Sequence, residues 1–491
     1  MQRTFPDSLL PSLSEFIAIR TGLYFPPERW EDLERGIAAA APDFNFPDGE
    51  TCARWLLSAP LTRRMNARNV DEVLASHLSI GETYFFREKR SLEILCEQLL
   101  PQLLQARCHE RRLRIWSAGC CTGEEAYTIA MLLDGLIPDI KTWNITILAT
   151  DFNPEFLRKA AQGVYGEWSF RDAPGWLRGR YFTGKGDGRF EIIPRIRKMV
   201  TFSYLNFADD VYPSLSNNTG AMDIIFCRNV LMYFTAQRAK QVTGNFHRAL
   251  VDGGWLVVSP AEASNTLFSS FAPTEFPGAV LYRKTANIRL QPLVVGYPVL
   301  PLFEAAEAMP PLLPVALAEP APAILPVPPD EANPSENLST AQSNQAKASQ
   351  TDDRGLPLRM ARDCANQGRL GEALEWCEQA ISADKLNPAH HYLLATILQE
   401  QGQHSAAIQS LMRALYLDPD FVLAHFALGN LHQSQGRYRQ AQRHFEITLL
   451  LLRRHPPDET LPEADGLTAG RLAEIASALL ESLPQAAAAV A

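Results

Sequence analysis

Two glycines and two carboxylates stand together in LRIWSAGCCTGEEAYTIA, residues 113–130. Leu113, Ile115 and Trp116 are strand formers, Gly119 and Gly123 permit a turn, and Glu124 and Glu125 open an apolar run suited to a helix. Strand, glycine turn and helix is how a doubly wound sheet begins a nucleotide site. The glycines let backbone N–H groups approach a ligand, and the helix N-terminus adds a partial positive charge. Acids at that same end would repel a phosphate, so a ligand with a ribose and an amino group fits better than a pyrophosphate. The spacing is G-x-x-x-G rather than G-x-G-x-x-G, and an ordinary strand-to-helix turn has the same composition.

Asp151 closes the next strand-like run, NITILATD from Asn144. An acid at a strand end can accept both hydroxyls of a ribose. Glycine turn, acid and strand order together point to a nucleoside ligand. The absence of a phosphate-cradling loop points to S-adenosylmethionine (SAM) rather than NAD. Upstream lies TYFFR, Thr83 to Arg87. One reading is a plain amphipathic element, with Phe85 and Phe86 in the core and Arg87 in solvent. The other puts Arg87 over the site, where its forked guanidinium suits a carboxylate. Cys227, Arg228, Asn229 and Tyr233 follow a third strand-like run from Met222. Cys227 is most simply a buried apolar residue, and Arg228 an ion-pair partner. Asn229 and Tyr233 are the better ligand contacts.

These residues need a scaffold. Residues 1–79 carry apolar residues at helical spacing, with Asn69 or Asp71 as caps for the last helix. From 80 to 286 strands and helices alternate, which predicts a mainly parallel sheet with helices on both faces. Its strands are IWSAG, NITILATD, the run from Met222, GGWLVVSP and AVLYRK. The stretch from Arg180 to Phe207 alternates between glycine turns and is predicted to be an antiparallel insertion. Residues 287–354 are rich in proline, then in Ser, Asn and Gln, and read as an extended linker. Beyond it Gly368, Gly402 and Gly436 recur at one fixed step, as do Ala373, Ala407 and Ala441, and Ala361, Ala395 and Gly429. This is the tetratricopeptide period, three units over 355–454, with small residues at the close helix contacts. The tail, 455–491, adds a capping helix.

The 491-residue chain carries a net charge of −9, which disfavours a general nucleic-acid binder. Eight scattered cysteines without a C-x-x-C pair and without a leader predict a cytoplasmic setting. No apolar run reaches the ~20 residues of a membrane span.

The blocks TYFFRE, WSAGCCTGEEAYTIA, ATD and IIFCRNVLMYF resemble the chemotaxis receptor methyltransferase family, CheR. The resemblance runs to about residue 286. It implies an α/β, Rossmann-like SAM-dependent methyltransferase domain with an N-terminal helical domain, a small antiparallel β insertion and, in some members, all-α tetratricopeptide repeats. It implies methyl transfer from SAM to glutamate side chains of chemoreceptor cytoplasmic domains, with no metal. Residue by residue, it puts Thr83 and Arg87 at the cofactor or the reacting carboxylate. Glu125 meets the amino-acid part of SAM and Asp151 its ribose. Asn206 and Phe207 line the adenine pocket. Cys227, Arg228 and Asn229 lie beside the methionine moiety, and Tyr233 stands near the methyl group. The repeats imply a protein partner. Two other readings stay open: a SAM-binding scaffold acting through its repeats, and a methyltransferase for another substrate.

Overall fold

The computed structural model describes residues 5–6, 8–58, 70–209, 211–214, 217–285, 356–464 and 467–483. The linker at 287–354 and the cap Asn69 lie outside the described residues. The strands in chain order are β1 (Arg112–Ala118), β2 (Asn144–Asp151), β3 (Val164–Gly166), β4 (Phe182–Gly186), β5 (Arg189–Ile192), β6 (Val200–Tyr204), β7 (Met222–Cys227), β8 (Leu250–Val258), β9 (Ala272–Phe276) and β10 (Ala279–Arg283). Seven form one sheet in the order β6-β2-β1-β7-β8-β10-β9. β1 runs parallel to β2 and β7, and only β10 is reversed, antiparallel to β8 on one side and to β9 on the other.

Every residue of β1 and β7 is buried. Central parallel strands are covered on both faces, hence the apolar pairs and triplets Ile115-Trp116 and Ile224-Ile225-Phe226 at their centres. The chain leaves β1 for β2 on one side and returns to β7 on the other. The crevice beyond the C-terminal ends of β1 and β7 is therefore the topological switch point, where such sheets bind ligands.

One expectation is corrected. Only β3, β4 and β5 form the small antiparallel sheet; β6, within the predicted insertion, pairs parallel with β2. The alternation in VTFSY marks a half-exposed edge strand, and alternation does not reveal the partner's direction. The edge strand β9 was also not foreseen.

Among the described residues four helices build the N-terminal unit, Leu10–Thr21, Trp30–Ala40, Gly49–Ser58 and Val70–Leu78, and two more, Lys89–Ile94 and Leu100–Ala106, lead into β1. The four share a core around Leu13, Ile17, Leu33, Ile37 and Leu74. Asp71 sits in the first turn of the last of them and pairs with Arg20 of the first at 2.6 Å.

The repeats are three helix pairs, Leu356–Asn366 with Leu370–Ala383, Pro388–Glu400 with His404–Leu417, and Val422–Ser434 with Tyr438–Leu452. The period glycines do not make the close contacts between paired helices. Gly368, Gly402 and Gly436 have φ of 76°, 75° and 72°, a left-handed turn between paired helices that favours glycine. Close packing falls to the other two series: Ala373, Ala407 and Ala441 are fully buried, and a Cβ on Gly429 would collide with Phe445.

The array docks on the sheet. Glu400, at the end of a repeat helix, reaches Arg112 and Arg114 of β1, and its carbonyl accepts from Asn144 Nδ2 at 3.0 Å. All three charged side chains are under a tenth exposed. Burial pulls the Arg114 guanidinium below its ordinary range, and Glu400 is the main group opposing that. The Glu400→Ala variant strands two buried guanidiniums. It should lose ~3–5 kcal/mol, the usual result of breaking a buried pair. Chemical unfolding measures this; a loss under ~1 kcal/mol would mean the contact is solvent-screened.

Candidate active site

The glycine turn after β1 is held by its neighbour strand. Gly119 N and Cys120 N donate to Thr150 O at 2.8 and 2.9 Å. Gly119 and Gly123 take φ of 83° and 93°. At Gly123 a Cβ would come within 2.9 Å of Ala160 Cβ, so glycine is needed for space as well as for conformation. Asp151, closing β2, accepts from Cys121 N through Oδ2 and from Asn153 N through Oδ1, both at 2.9 Å. Burial pushes its carboxyl up to about 6, against the lowering pull of those N–H groups.

The helix Glu124–Leu136 separates its two leading acids. Glu124 turns inward, accepting from Thr122 Oγ1 at 2.7 Å and Ser169 Oγ at 3.0 Å. Glu125 faces the crevice, accepting from Ser117 Oγ at 2.6 Å and pairing with Arg228 Nε at 2.7 Å. Arg228 in turn donates through Nη1 to Arg87 O at 2.8 Å.

TYFFR divides its residues between the core and the cleft. Phe85 and Phe86 are fully buried, with Phe85 stacked on Phe170 at 5.0 Å between centroids. Phe85 N donates to Ser169 O at 2.9 Å. Phe86 and Glu88 have φ of 62° and 56°, uncommon for such residues. Between them Arg87 turns to the cleft, its Nη1 donating to Glu82 O at 2.6 Å.

One cleft, with about 990 Å³ of empty space, brings together Thr83, Arg87, Glu125, Asp151, Asn206, Phe207, Arg228, Asn229 and Tyr233. Cys227 is the exception. It ends β7 with its side chain fully buried in the cluster of Trp116, Leu256 and Val258. The alternation of β7 turns it away from the crevice, so it acts there through packing alone. Asn206 is tied at both ends of its amide, donating to Arg20 O at 2.7 Å and accepting from Ala208 N at 3.0 Å.

Sequence reasoning missed a wall. Thr21, Leu23, Phe25, Arg29 and Leu78 of the N-terminal helices close the cleft opposite the sheet. Arg29 lies over the rings of Tyr233 at 5.4 Å and Phe25 at 5.0 Å. It also missed Phe156, whose ring sits against Gly81, and Glu262, which accepts from the backbone of the Asn229 segment. Ordinary apolar residues after a helix carry little signal; a GLYFPP link was the one available hint.

The cleft fits SAM on its own evidence. Asn229 Oδ1 is buried without a hydrogen-bond partner, an arrangement costly unless a ligand donor meets it. Glu125 supplies a carboxylate for an ammonium, and Asp151 a buried acceptor for hydroxyls. Among the described residues no group of three or more His, Cys, Asp or Glu is placed to hold a metal ion.

Comparison with known proteins agrees. Residues 81–277 match the CheR methyltransferase SAM binding domain. Residues 358–379, 396–436 and 424–460 match tetratricopeptide repeat families. Chemotaxis protein methyltransferase 2 of Vibrio cholerae is 34% identical over 213 residues, 43% of this chain and 73% of that protein. Chemotaxis protein methyltransferase 1 of Pseudomonas aeruginosa is 34% identical over 218 residues, 43% of this chain and 77% of that one. The probable biofilm formation methyltransferase WspC of Pseudomonas aeruginosa is 29% identical over 377 residues, 76% of this chain and 84% of its own length. The glycine turn, the acid closing β2 and the matched sequence together place this chain in the CheR family of SAM-dependent methyltransferases.

Proposed function

We propose that this chain methylates glutamate side chains on the cytoplasmic domains of chemoreceptors, giving methyl esters, and that Arg87 and Tyr233 carry the acceptor side of the reaction. The observation that carries this reading is that Arg87 enters a cleft whose opposite residues, Glu125, Asp151 and the unpartnered Asn229 Oδ1, suit the donor. A glutamate side chain has an ordinary pKa of ~4.3, so it arrives as a nucleophile and needs no general base. Among the described residues the cleft lining has neither histidine nor lysine. SAM supplies a methyl group on a sulfonium. The protein's task is placement: Arg87 holds the carboxylate and Tyr233 walls the methyl side. Glu125 and Asn229 hold the amino-acid end, Asp151 holds the ribose, and Phe207 with Asn206 flanks the base. Orientation of this kind is worth several kcal/mol.

The same reading divides the chain at 79, 286, 354 and 454, gives the repeats a protein partner, and places the protein in the cytoplasm. Eight unbridged cysteines support that compartment. Among the described residues no helix is long and apolar enough to cross a membrane. The test is incubation with methyl-labelled SAM and a panel of receptor cytoplasmic fragments. Base-labile label on receptor glutamates is expected. Label found only on RNA or small molecules would overturn the reading.

A further inference from the structure

Glu262 belongs to none of the motifs above. It ends the short turn Pro260–Glu262 that follows β8, in SPAEAS, and is 7% exposed. β8 lies beside β7, with Val258 opposite Cys227, so this turn leaves the sheet next to the segment bearing Asn229 and Tyr233. Glu262 Oε2 accepts from Asn229 N at 2.6 Å and Ser259 Oγ at 2.7 Å. Its Oε1 accepts from Val230 N at 2.7 Å and Met232 N at 3.2 Å.

Three backbone N–H groups of one short loop thus converge on one carboxylate, which fills the nest they make. The loop needs such an anchor. Asn229 sits at φ 59°, a left-handed conformation that non-glycine residues rarely hold without support. On its cleft side the same loop presents the unpartnered Asn229 Oδ1 and the Tyr233 ring. Its far end is latched to the N-terminal helices, where Tyr24 N donates to Tyr233 O at 2.8 Å.

We propose that Glu262 is a positioning residue for methyl transfer: by accepting the N–H groups of Asn229, Val230 and Met232 it fixes the loop that aims Asn229 at the donor and Tyr233 at the methyl path. This rests on the methyl-transfer reading above. Glutamine is nearly isosteric, but its amide NH₂ would replace one acceptor with a donor facing backbone donors. Misplacement by ~1 Å costs on the order of a hundredfold in rate. The Glu262→Gln variant should therefore lose ~100-fold in kcat. Its affinity for S-adenosylhomocysteine should fall far less, by ~2–10-fold, the share of the single Asn229 contact, because Asp151 and Glu125 stand on other elements.

Hydrogen exchange of the Asn229, Val230 and Met232 amides gives a readout independent of the acceptor. Their protection should fall in the variant, while that of β7 is kept. Wild-type kcat with wild-type protection in Glu262→Gln overturns the proposal, as does an equal loss of affinity and turnover with a lowered melting temperature. If Glu262→Gln does not fold, Ser259→Ala removes only the fourth anchor. It should then lose ~3–10-fold in kcat at unchanged affinity, about one hydrogen bond's worth, and no loss overturns the proposal. A wild-type chain that methylates no receptor fragment, with protection still falling in the variant, refutes the substrate reading and leaves the anchor standing.

Discussion

Replacing Arg87 with alanine should cut methyl transfer about a thousandfold, at the upper end of what one preorganised charge contributes to an active site, while the cofactor still binds. The division follows from where the residue is held. Arg87 stands between two left-handed residues, Phe86 and Glu88, and its carbonyl is pinned by Arg228. Its side chain enters the cleft from the segment before β1, whereas Asp151 ends β2 and Glu125 opens the following helix. On the proposed reading the donor is thus gripped by other elements. Lysine should rescue little, since a point charge does not reproduce the two-pronged hold of a guanidinium. Single-turnover transfer to a receptor fragment, measured beside calorimetric binding of S-adenosylhomocysteine, separates the two functions. Equal losses in both would show that Arg87 serves the donor instead.

Asp151→Ala should have the opposite signature, with cofactor affinity falling by ~100-fold or more. Two hydroxyl bonds to a charged acceptor are worth about 1.5–3 kcal/mol each. The effect depends on pH in a definite direction. With burial raising the carboxyl to about 6, the empty protein loses stability as pH rises from the ordinary 3.8 through about 6, because the buried group must charge. Ribose hydroxyls donate to the charged form and repay that cost only above pH 6. Affinity for S-adenosylhomocysteine should therefore rise from pH 5 to pH 7 and then level off, and the rise should vanish in Asp151→Asn. A wild-type affinity that is flat over this range would remove Asp151 from the ribose.

The two cases also show what a linear sequence reveals. The bounds of β2 and the acid at its end were readable because NITILATD is rich in β-branched residues and stops at a carboxylate. Glu125, Asn229 and Tyr233 were readable because they follow strands whose C-terminal ends must face the crevice. Cys227 was assigned to the pocket by motif, yet the two-residue period of β7 turns it into the core. Glu262 was invisible, since an acid in a loop looks solvated until the N–H groups that need it are brought near. The wall of Thr21, Leu23 and Phe25 could not be read either. It forms only when a separate helical core packs across the cleft, and nothing local to those residues encodes that meeting.

The tail helix Ala469–Ser482 lies against β6, the last strand on its side of the sheet. There Arg471 covers the Tyr204 ring at 4.5 Å and bonds both its hydroxyl and Asp209 at 2.7 Å. An uncovered outer strand is a template for joining a second sheet. Removing everything beyond residue 286 would therefore do more than discard the repeats. It would bare a sticky flank, and the trimmed catalytic half should self-associate more readily than the whole chain.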